Sequence, residues 1–268
     1  MALRIQKAQK AFDETDIKLA KESHQKKLIK ESMHDEGHKE GRGQYLGEFV
    51  YGAIDGTVTT FAVVSGAAGA SLSPIIVVIL GFANLIGDGF SMACGNLLSE
   101  RTQRDYIKKE RKREEWEIEN VPSGEREEIR EIFRKKGFRG NDLQRAVEVI
   151  CSDKKIWVDT MMADELGLIE SHKNPWKTAG MTYFGFVAVG IIPLLAYVLS
   201  YMHPFFKHYT FILAVFMTFI ALSIIGIVKR HVTKKNLLIS VSETIFIGGV
   251  AALLAYATGY LINLILNI

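Results

Sequence analysis

Several side chains in the polar part of the sequence have the types and spacing to hold a cation. Glu110, Glu114 and Glu117 follow one another at i, i+4 and i+7, so a helix carries them on one face. Glu125 and Glu128 share a face at i, i+3, and Met161 and Met162 precede Glu165 by four and three residues. Like charges at such spacings repel by about a few tenths of a kcal/mol per pair, so the clustering calls for a counter-charge. Arg113, Arg126 and Arg130 are close enough in sequence to supply it. A metal ion would do the same. For any one of these glutamates a solvated charged helix is the plainer reading, and Met161 and Met162 can be read as core. Together, two thioethers and several carboxylates suit a borderline cation, soft enough for sulfur and hard enough for oxygen. Fe²⁺ fits that description better than Mg²⁺ or Ca²⁺. His34 and His38 also stand four apart, but Gly37, Gly41 and Gly43 interrupt the helix and favour an exposed pair.

A second set of acids lies in apolar surroundings: Asp55, Asp88 and Glu243. A carboxylate at mid-membrane costs roughly 2.5–3.5 kcal/mol even on a mild insertion scale, so such groups are expected to face a cavity, an ion or a proton path. Asp55 lies in YGAIDGTVTT between Gly52 and Gly56, whose G-x-x-x-G spacing lets helices approach closely, as at a dimer or pore seam. Asp88, Met92 and Asn96 follow at i, i+4 and i+8 and line one helical face. Such a stripe of oxygen, sulfur and oxygen is a path for a divalent ion, although Asp88 can also be read as bonding a neighbouring helix. Glu243 is expected near a membrane face. A carboxylate in such a path takes up a proton when the metal leaves, which couples the two movements by charge competition.

The elements that position these groups follow from the distribution of charge. The chain has 268 residues, is 48% hydrophobic and 24% charged, and carries a net charge of +3. The charge is concentrated in residues 1–48 and 99–177, which excludes a single soluble globule. A membrane span needs about 20 mostly apolar residues, and residues 49–70, 74–98, 179–202, 209–228 and 237–268 qualify. Each is expected to be helical, because a lipid-exposed backbone must satisfy its own hydrogen bonds. Basic loops alternate across these five spans and place the N-terminus and the long insertion in the cytosol. The N-terminal MALRIQKAQKAFDETD has no apolar core of a secretory signal. Two cysteines, Cys94 and Cys151, give no disulfide framework.

The pattern divides the chain into a charged cytosolic arm (1–44), spans one and two (45–98), a cytosolic helical metal-binding domain (99–177) and spans three to five (178–268). The arm reads as a charged helix with a thin apolar stripe of Ala8, Phe12 and Leu19. No Gly or Pro falls between Asn96 and Asn120, so span two is expected to run on into the cytosol as one long helix until Pro122. A second helix is expected to start with Ser123 as N-cap and end at Gly137. A third follows Asn141, and a fourth follows Asp153 and closes at Gly167.

These residues resemble the vacuolar iron transporter family of Fe²⁺ and Mn²⁺ transporters. The resemblance runs from about Gly47 to Ile268 and rests on YGAIDGTVTTFAVVSGAAGA, GFANLIGDGFSMACGNLLS and WVDTMMADELGL. It implies an all-α membrane protein, a homodimer with the path at or near the dimer interface, and export of metal from the cytosol against protons. It also implies that Glu114, Glu117, Glu125, Glu128, Met161, Met162 and Glu165 collect metal, and that Asp55 and Met92 conduct it. The sequence departs from the family pattern at Asn96 and Leu97, where an acid and an aromatic are common, and at Gly87, where alanine is common. The expected function is therefore proton-coupled transport of Fe²⁺, with Mn²⁺ second, in a prokaryotic plasma membrane or a vacuolar-type membrane. No catalytic triad, P-loop or dinucleotide fingerprint points to an enzyme, and no organic cofactor or nucleic-acid partner is expected. Two alternatives stand beside this: a membrane-anchored metal sensor or scaffold, and a transporter of another divalent cation such as Mg²⁺. An anchor has no need of Asp55 or Asp88, and Mg²⁺ gains little from a thioether.

Overall fold

Glycine and proline set most of the helix boundaries. The computed structural model describes residues 8, 10–12, 14–25, 45–171, 173–202, 206, 208–233 and 236–266. It divides into two units, Met1–Gln44 and Tyr45–Ile268. In the first, the arm is not one continuous helix. Thr15 has a φ of 54°, and the Asp16 carboxylate accepts from the N–H groups of Lys18 and Leu19, capping a separate helix α1 (Ile17–Ser23). Phe12, placed in the expected stripe, is exposed. His34 and His38 lie outside the described residues.

In the second unit, α2 (Leu46–Gly69) turns at Ser71 into α3 (Pro74–Asn120). Helix α3 is unbroken over 47 residues, about 70 Å at the usual helical rise, as the absence of Gly and Pro between Asn96 and Asn120 predicts. Then come α4 (Pro122–Lys135), α5 (Gly140–Cys151) and α6 (Lys154–Thr160). Pro122 takes the first position of α4 and Val121 its cap, so Ser123 lies inside the helix rather than capping it. The Asp153 carboxylate caps α6, and Gly137 and Gly167 sit at positive φ where α4 and the fourth segment end. The chain continues through α7 (Pro175–Gly190), α8 (Ile192–Met202), α9 (Thr210–Thr233) and α10 (Leu237–Leu266).

Helices α2, α3, α9 and α10 are each long and apolar enough to cross a membrane. Helices α7 and α8 meet at a bend of 42° and are long and apolar enough for a fifth crossing only if the bent pair is one span. The stretch 179–202 is therefore broken rather than one straight helix. Pro193 has no N–H for the carbonyl one turn back and its ring crowds that carbonyl. The carbonyl of Ile191 instead accepts from Leu194 and Leu195.

Helix α2 lies among α7, α10, α9 and α3, and glycine permits this. A Cβ at Gly52 would come within 2.1 Å of the Thr182 carbonyl oxygen, and one at Gly56 within 2.3 Å of that of Phe186. The G-x-x-x-G pair thus serves packing against α7 within one chain and is not left for a second copy. At the far end Gly259 approaches the Gly66 carbonyl in the same manner, and Asn263 donates to the Ala70 carbonyl at 2.8 Å. A separate core unites the polar half of α3 with α4, α5 and α6 around Ile107, Ile118, Ile129, Val147 and Val158.

Candidate metal-handling site

In the polar half of α3, Ile107, Glu114 and Ile118 lie on one inward face, and in α4 Glu125 precedes Ile129 by one turn on another. The isoleucines fill the core, and their helices carry the two glutamates in with them. Glu114 is 1% exposed and Glu125 6%. Ligand oxygens of Glu114, Glu117 and Glu125 come within 4.8 Å of one another. One oxygen each of Glu114 and Glu125 is buried with no hydrogen-bond partner. A buried charge without a partner is penalised by on the order of several kcal/mol, so such a cluster is made to be neutralised by protons or by a cation.

Of the three arginines expected as counter-charges, only Arg113 reaches the cluster. It lies 3.2 Å from Glu110, 2.9 Å from Glu114 and 3.9 Å from Glu117. Arg130 pairs with Glu127, and Arg126 makes no ion pair among the described residues. One arginine leaves the acids in excess. Burial, with Glu128, Glu114, Glu117 and Glu165 around it, pushes the Glu125 carboxyl up to about 7. Burial also raises Glu114, against the opposing pull of Arg113, and raises Glu165, helped by Glu128 and Glu114. Glu128 and Glu165 thus stand in the field of the trio.

Met161 and Met162 are 0% and 2% exposed and belong to the core with Trp157 and Val158. The helix widens there into a π-turn, Met161–Glu165, closed by the Leu166 N–H on the Met161 carbonyl at 3.2 Å. The expected α-helical offsets to Glu165 therefore change. Such π-turns recur at functional sites, and this one carries both thioethers and an acid of the cluster.

In the apolar part, Asp55 of α2 is half-buried, and its charge interacts with that of Asp88 on α3. Asp88 is exposed on the single chain, while Met92 is half-buried against the apolar core. Asn96 donates to the Thr182 hydroxyl at 2.9 Å, tying α3 to α7. Glu243 accepts from Lys229 at 2.7 Å. Asn84, one turn before Asp88, has a buried amide nitrogen without a partner. A neutral amide in an apolar stretch gives no charge signal in the sequence, although the spacing of Asn84 continues the row of Asp88 and Met92. Thr60 likewise keeps a buried hydroxyl unbonded, whereas Thr57 and Thr59 bond carbonyls one turn back.

The model of the VIT family matches residues 46–260. A protein of Plasmodium berghei (strain Anka) named vacuolar iron transporter is 34% identical over 268 residues, covering 97% of each chain. Its namesake in Plasmodium falciparum (isolate 3D7) is 34% identical over 264 residues, 96% of this chain and 95% of that one. Vacuolar iron transporter 1 of Arabidopsis thaliana is 33% identical over 215 residues, 80% of this chain and 84% of that one. These relatives are eukaryotic and named for a vacuole, so they give the expected prokaryotic plasma membrane no support.

Proposed function

This chain belongs to the VIT family, and from that footing we propose that it is a transporter carrying Fe²⁺, and Mn²⁺ second, out of the cytosol in exchange for protons. The observation that carries this reading is the trio Glu114, Glu117 and Glu125, in which one oxygen each of Glu114 and Glu125 is buried without a partner. In the proposal Glu128, Met161, Met162 and Glu165 complete a cytosolic collecting site. The relatives are named as transporters, and no covalent chemistry is assigned to these residues.

The ion would then enter the membrane beside Met92, Asp88 and Asp55, with Asn84 extending the row. Five crossings are proposed, α7 and α8 counting as one, with residues 99–177 as a cytosolic bundle between the second and third. The proposed membrane is of the vacuolar type, and the basic residues of the N-terminal arm favour the cytosolic side for that arm. The proposed homodimer is supported by Asp88. It is an exposed acid in an apolar helix beside Gly87, and a Cβ added at Gly87 or Gly95 would meet no other part of this chain within 4 Å. A second copy on that face would cover the acid and line the path from both sides.

The test uses the full chain in proteoliposomes with acid inside, reducing conditions and the metal-binding face outward. Wild type should take up Fe²⁺ and not Mg²⁺, and release protons outward as it does so. Asp55→Ala should abolish uptake while keeping Fe²⁺ binding. Uptake unchanged in that variant removes Asp55 from the path. Binding without uptake in wild type favours a sensor instead.

A further inference from the structure

Between α3 and α7 runs a groove of about 220 Å³ whose lining includes Phe90, Cys94, Leu97, Trp176, Gly180 and Tyr183. It is apolar along its length and lies on the membrane part of both helices. Nothing of this chain fills it at Gly180, where a Cβ would meet no atom within 4 Å. Its polar end is of a different character. Trp176 is 64% exposed, and the Arg101 guanidinium lies over its ring at 5.0 Å from the centroid. Arg101 makes no hydrogen bond or ion pair among the described residues. It is one of the first charges beyond the apolar part of α3. Lys177 stands next to Trp176 with its ammonium 5.9 Å from the Tyr45 ring.

We propose that this groove binds an anionic phospholipid, its phosphate at Arg101 and one acyl chain between α3 and α7. A guanidinium seated over an indole without a hydrogen-bonded partner keeps N–H groups for a phosphate. Tryptophan with a cation at the end of an apolar helix is the pattern of the membrane interface. Charge alone leaves a second copy open, since Glu100 stands at the height of Arg101, but the exposed Trp176 with Arg101 over its ring, at the end of the apolar part of α3, favours a lipid headgroup as the occupant. The site rests on membrane insertion and not on transport.

The test adds phosphatidylglycerol or phosphatidylcholine of identical acyl chains to the full chain in neutral detergent. Binding is counted by native mass spectrometry, and the thermal midpoint is followed in parallel. Phosphatidylglycerol should bind and raise the midpoint, and phosphatidylcholine should do neither. Arg101→Gln, an exposed position, should weaken phosphatidylglycerol by about fivefold. Gly180→Leu, which fills the groove, should weaken it as well, and Lys108→Gln should leave it unchanged. Equal binding of the two lipids, or full binding by Arg101→Gln, overturns the proposal. So does a groove variant that changes the oligomeric mass but not lipid preference, since the occupant is then a second copy.

Discussion

Glu125 shows most directly how one residue's surroundings set its chemistry. The fold raises its carboxyl from an ordinary 4.5 to about 7, so the metal-free fold favours the protonated form. The stability this contributes is complete below the ordinary value and is lost as pH rises through about 7. Metal binding slopes the other way, because the ion must displace that proton. The metal-free protein should therefore lose thermal midpoint between about pH 4.5 and 7, and Glu125→Gln should flatten the slope. Equilibrium dialysis of Fe²⁺ or Mn²⁺ should give an affinity that falls as pH drops below about 7. The spacing of the acids was readable in the sequence, but their burial was not. Burial of Glu114 comes from its register with Ile107 and Ile118 and from α4 closing over it. Likewise, nothing in the local pattern around Arg126 and Arg130 told that both would point away from the cluster while Arg113 would not.

Among the elements, α2 depends on the absence of side chains. A methyl group at Gly56 would sit 2.3 Å from a backbone oxygen that cannot move without α7. Gly56→Ala should therefore destabilise the protein by about 1–3 kcal/mol and reduce the monodisperse fraction on size exclusion. Gly95→Ala adds the same methyl where its own chain offers no contact, so the fold should persist. A change in its monomer–dimer balance would then mark this face as the seat of the proposed second copy. Helix ends marked by Pro122, Gly137, Asp153 and Gly167 were legible because each acts within a turn of itself. The break at Ile191 had its signal in Pro193, but uniform hydropathy across 179–202 hid it. The partner of the Gly52–Gly56 seam was hidden too, since spacing reveals that a helix comes close and not which one.

For the whole molecule, the separation of charged from apolar stretches made the membrane character readable, while the lateral order of the helices was not. That order depends on which small-residue faces meet, and α3 alone crosses from one half of the design to the other. Its continuity has a kinetic meaning. Met92 and Glu114 sit on one rigid rod, roughly 33 Å apart along its axis, so no ion can be held by both at once. On the proposed function, Glu114 and its neighbours would act as a waiting room, which decides how often an ion stands at the door. The passage of each ion would then be timed elsewhere. Glu114→Gln with Glu125→Gln should accordingly raise the KM for Fe²⁺ severalfold in proteoliposomes and leave kcat nearly unchanged. The two halves of this protein would thus be tuned separately, one to scarcity of metal and the other to speed.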